Sequence, residues 1–319
     1  MDVEIAVLDS QTLGDSDVNW HALERLGRLR LFRPIRTEEW PLLSRTPYVL
    51  TNKVLIDETV MERLPALRYI GVLATGYNNV DVEAARKRGI AVTNIPGYST
   101  HAVAETVFAA ILHFAKQTAL HNNAVKKGRW SKSESFCFWD TSLWELRGLT
   151  LGVIGYGAIG RQVARVARAF DMSVLIHTRS KPTSLPEGIR LADRETVLRE
   201  SDVLSLHCPL TDATRHLINE HTLSLMKPEA LLVNTGRGPL VDEAALDKVL
   251  RQRKIAAYYG DVLSDEPPPG DHPLIGNPYT VITPHIAWAT RQARQRLIDR
   301  AAENIMAFRE GKKLNRLDV

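Results

Sequence analysis

The sequence predicts an α/β protein made of two doubly wound parallel-sheet domains, and three observations carry that reading. Short apolar runs alternate with helical patterns along the first hundred residues, and the same rhythm restarts in a fuller form at Leu149. That alternation describes a parallel sheet wrapped by helices. The second series opens on Leu149-Thr150-Leu151-Gly152-Val153-Ile154 followed by Gly155-Tyr156-Gly157-Ala158-Ile159-Gly160. A strand that runs through G-x-G-x-x-G into a helix is a pyrophosphate cradle. Finally, 319 residues suffice for two domains, each with its own core.

In the first series, strands are expected over 5–8, 48–50, 69–73 and 90–93. A short helix over 81–89 has an acidic start at Asp81, a basic end and a terminal glycine, Gly89. Pro96-Gly97 breaks the chain before a long helix over 100–127. In the second series, strands are expected over 149–154, 173–177, 203–207, 230–234, 255–261 and 279–283, with helices over 159–170 and 242–253 between them. Six strands suit a dinucleotide domain. A final amphipathic helix over 290–309 carries Leu297, Ile298, Ala301, Ile305 and Phe308 on one side.

Composition narrows the class. Apolar residues at 44% and charged residues at 24% are those of a soluble globular protein. Met1-Asp2-Val3-Glu4 puts no basic stretch ahead of the first apolar run, so no secretory signal is expected. The apolar segment over 102–120 is interrupted by Glu105, His113, Lys116 and Gln117, which reads as a buried helix and not as a membrane span. Cys137 and Cys208 stand far apart without a partner motif, which implies a reduced, cytoplasmic protein with no disulfide framework. Ten histidines show no His/Cys pair at ligand spacing, so no metal is expected. The net charge of +4 is spread along the chain, which argues against nucleic acid as a partner.

Each glycine of the fingerprint has its own use. Gly155 permits the tight turn, Gly157 lets backbone approach the diphosphate, and Gly160 lets helix pack on strand. The amides at Ala158 and Ile159 open the helix and point at the phosphates, where the helix dipole favours negative charge. Ligands in such sheets bind beyond the carboxyl ends of the strands, so the cleft between the two domains is the expected site.

Three residues at strand ends could do chemistry there. Arg237 lies in Asn234-Thr235-Gly236-Arg237-Gly238-Pro239, Glu266 follows Asp261-Val262-Leu263-Ser264-Asp265, and His285 follows Ile282-Thr283-Pro284. An arginine can clamp a carboxylate, and a histidine can give a proton to a carbonyl oxygen as hydride reaches carbon. A carboxylate beside that histidine holds its tautomer and favours its protonated form. Taken singly, each residue also has a local use: Arg237 as a turn cap, Glu266 as a solvated loop acid, His285 as a satisfied loop histidine.

The strand after the fingerprint helix ends in Thr178-Arg179-Ser180-Lys181, with no carboxylate to grip a ribose 2′-hydroxyl. Two hydroxyls, a guanidinium and an ammonium suit a 2′-phosphate instead, so NADP(H) is favoured and NAD(H) is the alternative.

Over essentially its full length the chain resembles the D-specific 2-hydroxyacid dehydrogenase family, and most of all its glycerate dehydrogenase and hydroxypyruvate (glyoxylate) reductase branch. The resemblance rests on Gly71-Val72-Leu73-Ala74-Thr75-Gly76-Tyr77-Asn78-Asn79-Val80-Asp81, the glycine fingerprint, Leu206-His207-Cys208-Pro209-Leu210-Thr211, Asn234-Thr235-Gly236-Arg237-Gly238, Asp261-Val262-Leu263, Glu266-Pro267 and Thr283-Pro284-His285. It implies a Rossmann dinucleotide-binding domain over 101–288 and a smaller flavodoxin-like substrate domain, discontinuous over 1–100 and 289–319, with hinges near Thr100 and Trp288. It implies that Arg237 binds the substrate carboxylate, that His285 is the general acid/base, and that Glu266 supports His285. Amides around Ala74, Thr75 and Gly76, with Lys53, would complete the carboxylate site. Asp261 would lie by the nicotinamide, Cys208, Pro209 and Thr214 along the adenosine, and Thr235 and Gly236 against the dinucleotide.

The expected activity is reduction of hydroxypyruvate or glyoxylate to D-glycerate or glycolate. The alternatives are dehydrogenation of another small anion on the same scaffold, or a nucleotide-sensing binding protein without turnover. A glutamate at 266 argues against formate, whose enzymes of this type resemble the chain but carry glutamine there. The resemblance also implies a homodimer with the region from Trp130 to Trp144 in the contact. Trp139 resembles a tryptophan that reaches the neighbouring subunit's pocket in hydroxypyruvate reductases, with a plain interface aromatic as the alternative. Tyr259-Gly260 departs from the Gly-Leu that many relatives carry before the aspartate.

Overall fold

A computed structural model of the chain describes residues 3–14, 17–180 and 182–319. The chain divides into two compact units, one of Met1–Ser99 with Trp288–Val319 and one of Thr100–Ala287.

The first unit contains a five-stranded sheet: β1 (Glu4–Val7), β2 (Arg28–Leu31), β3 (Tyr48–Thr51), β4 (Tyr69–Val72) and β5 (Ala91–Thr93). The strands run parallel in the order β2-β1-β3-β4-β5, the flavodoxin-like arrangement. Every residue of β3 and β4 is buried, as continuous apolar runs in a two-sided sheet require. β2 was not expected, because Arg-Leu-Arg-Leu alternates charged and apolar residues and sits at the sheet edge, where none of its residues is fully buried.

The helix Val82–Lys87 forms with Asp81 as its N-cap, the carboxylate accepting from Ala84 N at 2.9 Å, and Gly89 follows in the left-handed region. The last long helix, Arg291–Arg309, belongs to this unit. Its Leu297, Ile298, Ala301 and Ile305 are buried, and Phe308 packs 5.2 Å from Tyr69 and 6.0 Å from Tyr48, ring centre to ring centre. The chain end then lies along β5, with Leu317 N donating to Val92 O and Val92 N donating to Asp318 Oδ1.

The second unit contains β6 (Thr150–Ile154), β7 (Ser173–His177), β8 (Ile189–Leu191), β9 (Val203–Leu206), β10 (Leu231–Asn234), β11 (Ala257–Gly260) and β12 (Thr280–Ile282). All seven are parallel in the order β12-β11-β10-β9-β6-β7-β8, a doubly wound sheet whose strand order switches direction between β6 and β9. The sheet thus has one strand more than the six expected. The addition, β8, is a three-residue edge strand, Ile-Arg-Leu, too short to stand out in the sequence. Alternate residues feed two cores: Leu231, Val233 and Tyr259 enter one, Leu232, Leu206 and Tyr258 the other.

The helix expected over 100–127 is two helices, Thr100–Lys116 and Thr118–Lys126, separated by Gln117 at φ 46°. The first buries eight side chains and the second none, so the break falls where the apolar face ends. Among the described residues no helix is long and apolar enough to cross a membrane, and no cluster of three His, Cys, Asp or Glu is placed to hold a metal ion.

Candidate active site

The glycine loop leaves β6 with Gly155 at φ 100°, a conformation that favours glycine. A Cβ there would lie 2.4 Å from both Cys208 N and His207 C, so the turn also rests directly on the loop after β9. Gly157 caps the helix Ala158–Ala169 without any side-chain bond, and a Cβ on it would meet nothing within 4 Å. At Gly160 a Cβ would stand 2.1 Å from Gly155 O, because the helix is pressed onto the turn. The amides at Ala158 and Ile159 therefore open onto uncrowded space beside a helix N-terminus, a shape that fits a dinucleotide pyrophosphate.

Around this loop lie the other residues expected to face a dinucleotide. Thr178 follows β7, its Oγ1 3.3 Å from Ser180 Oγ, and Arg179 is exposed; Lys181 lies outside the described residues. The Cys208 thiol is pushed up by burial. Thr214 Oγ1 accepts from Thr211 N and donates to Pro209 O at 2.7 Å, closing that loop into a turn. Burial pushes His207 down to about 4, with Nε2 2.9 Å from Ser205 Oγ.

Three neighbouring parallel strands, β10, β11 and β12, deliver the chemical residues at their carboxyl ends. Since such strands are spaced about 4.8 Å apart, their loops emerge side by side. After β10, Asn234 shapes the turn, accepting from Gly236 N at 3.0 Å and donating to Arg237 O at 2.9 Å. Arg237 Nη1 donates to Gly236 O, and Thr235 Oγ1 is buried with no protein partner. After β11, Glu266 folds back so that Oε1 accepts from Leu263 N at 3.1 Å. After β12, His285 adopts φ 55° and sets its Nδ1 2.6 Å from Glu266 Oε2. Both side chains are partly exposed, 24% for His285 and 36% for Glu266.

Asp261 is buried and holds the His285 loop. Its Oδ1 accepts from Ile286 N and Thr283 Oγ1, its Oδ2 from Ala287 N, and its backbone oxygen from His285 N. Burial raises the Asp261 carboxyl, while those hydrogen bonds and the His285 charge oppose the rise.

In the first unit, Lys53 follows β3 and Ala74-Thr75-Gly76 follow the adjacent β4. Thr75 is tied down by its Oγ1 donating to Ile95 O and its carbonyl accepting from Asn94 Nδ2. The loop of Lys53 is organised by a residue the sequence reading did not single out. Asp9, buried at the end of β1, accepts from the amides of Asn52, Lys53 and Val54 in succession. Burial raises its carboxyl, and those amides pull it back. Asn234 and Thr283 stood in the expected motifs only as neighbours of Arg237 and His285, and Tyr259 only as a departure from the family pattern; none of the three was given a role. A polar residue at or just past the end of an apolar strand was the available signal in each case except Tyr259.

The comparisons agree with this geometry. The family model "D-isomer specific 2-hydroxyacid dehydrogenase, NAD binding domain" matches residues 108–287. A hydroxypyruvate reductase of Blautia hydrogenotrophica is 39% identical over 98% of this chain and 99% of its own length. A glyoxylate reductase of Aeropyrum pernix is 44% identical over 83% of this chain and 79% of its own. Among solved structures, an acyclic imino acid reductase in complex with NADPH and D-Arg covers 99% of this chain and all of its own at 32% identity, with a TM-score of 0.85. A G-x-G-x-x-G cradle, a paired histidine and glutamate, and these likenesses together place the chain in the D-isomer-specific 2-hydroxyacid dehydrogenase family, as an oxidoreductase that uses a nicotinamide dinucleotide.

Proposed function

We propose that the protein reduces a small 2-oxo acid, hydroxypyruvate or glyoxylate, to D-glycerate or glycolate. The observation that carries the reading is the His285–Glu266 pair at 2.6 Å, beside the strand end that bears Arg237. NADPH or NADH, when bound, supplies the hydride. Arg237 holds the substrate carboxylate, which orients the keto group. His285 gives a proton to the carbonyl oxygen. With Nδ1 donating to Glu266, proton exchange takes place at Nε2, and the glutamate charge offsets the positive charge of the protonated ring. Lys53 and the backbone of Ala74, Thr75 and Gly76 are further substrate contacts in this reading. Residues 1–100 with 289–319 then form the substrate domain, and 101–288 the coenzyme domain.

Three finer points belong to the same proposal. The preferred coenzyme is NADPH, because Thr178, Arg179 and Ser180 offer hydroxyls and a guanidinium and no carboxylate. The protein is cytoplasmic, in keeping with the free Cys137 and Cys208, and it is a homodimer, supported by Trp130, Phe136 and Trp139 at 52%, 87% and 66% exposure in the segment after Lys126.

The test is a spectrophotometric assay with hydroxypyruvate and glyoxylate, run on wild type and on His285→Ala. Wild type should turn over and H285A should lose turnover while still binding coenzyme. Near-wild-type rates in H285A would refute the role given to His285.

A further inference from the structure

Tyr259 belongs to no part of the chemistry above, yet its hydroxyl is aimed at it. The ring is buried in the apolar core on one face of the seven-stranded sheet, and its Oη lies 2.7 Å from Thr283 Oγ1. Thr283 Oγ1 in turn lies 2.6 Å from Asp261 Oδ1. The direction of this chain can be deduced. Two backbone amides, which can only donate, already point at the Asp261 carboxylate, so that carboxylate acts as an acceptor. Thr283 has one hydroxyl proton and gives it to Asp261. Its oxygen is then left to accept, and Tyr259 must be the donor. The sequence Tyr259 to Thr283 to Asp261 runs one way.

The Asp261 carboxylate gathers the amides of Ile286 and Ala287, and the His285 amide just before them donates to the main-chain oxygens of Asp261 and Thr283. His285 stands at φ 55°, a conformation that a residue with a Cβ keeps only when its surroundings impose it. We infer that Tyr259 and Thr283 are positioning residues for the reaction: through Asp261 they hold the main chain of His285 in its left-handed turn and so keep the imidazole on Glu266. This rests on the acid/base role proposed for His285.

The neighbouring residue makes room for the arrangement. Tyr258 faces the opposite side of the sheet, and a Cβ on Gly260 would fall 2.7 Å from its ring. Tyr258 thus occupies the volume that a side chain at 260 would use, and Tyr259 is free to serve the other face.

The experiment compares Tyr259→Phe, Thr283→Val, Thr283→Ser, the Y259F/T283V double variant and His285→Ala, measuring kcat, KM for hydroxypyruvate and coenzyme affinity by fluorescence. T283V should lower kcat about tenfold or more and Y259F by about threefold, with both binding constants within about twofold of wild type. T283S should restore kcat, and the double variant should be no slower than T283V, because the chain passes through Thr283. If T283V does not fold, Y259F and T283S decide, since Y259F keeps the ring and T283S keeps the hydroxyl. Y259F with unchanged kcat overturns the inference when H285A is inactive. Active H285A overturns the reading beneath it and the inference together.

Discussion

The Cβ that Gly238 lacks would stand 2.0 Å from the carbonyl carbon of Leu263. Ser264 N would be almost as close, at 2.3 Å. The loop that carries Arg237 therefore lies backbone to backbone against the loop that carries Glu266. No side-chain rotation can relieve a methyl group placed there, so Gly238→Ala must part the two loops. Overpacking of this kind costs about 1–3 kcal/mol of stability. Because the displaced backbone bears both residues, kcat/KM should also fall by about two orders of magnitude, which steady-state assay and thermal unfolding together would reveal.

Gly157→Ala makes the contrasting case. The added methyl meets no protein atom within 4 Å, so the melting temperature should stay near that of wild type. It occupies the approach to the helix amides, so coenzyme binding should weaken by about tenfold or more. Fluorescence titration with NADPH and NADH measures this directly, and unchanged affinity would remove the pyrophosphate from this loop.

Coenzyme choice should turn on the loop after β7. Thr178→Asp places a carboxylate where it can accept from a ribose 2′-hydroxyl and repel a 2′-phosphate. The ratio of kcat/KM for NADPH to that for NADH should fall about tenfold or more. A wild-type enzyme that already prefers NADH would sink the NADPH assignment.

Acid stability should depend on His207. Burial holds its folded value at about 4 against an ordinary 6.5. Below 6.5 the unfolded chain takes up a proton that the folded ring refuses, so stability is lost as pH falls from 6.5 toward 4. At about pH 5 this loss is on the order of 2 kcal/mol. Urea unfolding at about pH 7.5 and about pH 5 should show His207→Asn losing less on acidification than wild type, and equal losses would exclude this histidine as the cause.

Much of this was legible in one dimension. The apolar strands, the glycine spacing and the strand-end positions of Arg237, Glu266 and His285 are local features, and local features are written in consecutive residues. β2 and β8 escaped because these edge strands are three or four residues long, are interrupted by arginines and bury no residue fully, so neither forms the continuous apolar run that marks a central strand. The break at Gln117 escaped because no glycine or proline marks it and both flanking segments are helical.

By itself the sequence determined the two parallel α/β units, the phosphate-binding turn and which strand ends carry a guanidinium, a carboxylate and an imidazole. Only the tertiary structure decided that Glu266 meets His285 across nineteen residues, that Asp9 orders the loop of Lys53, and that Tyr259 reaches Asp261 through Thr283. The reason is physical: a hydrogen bond forms between groups brought together by strand order and register, and neither is a property of neighbouring residues in the chain.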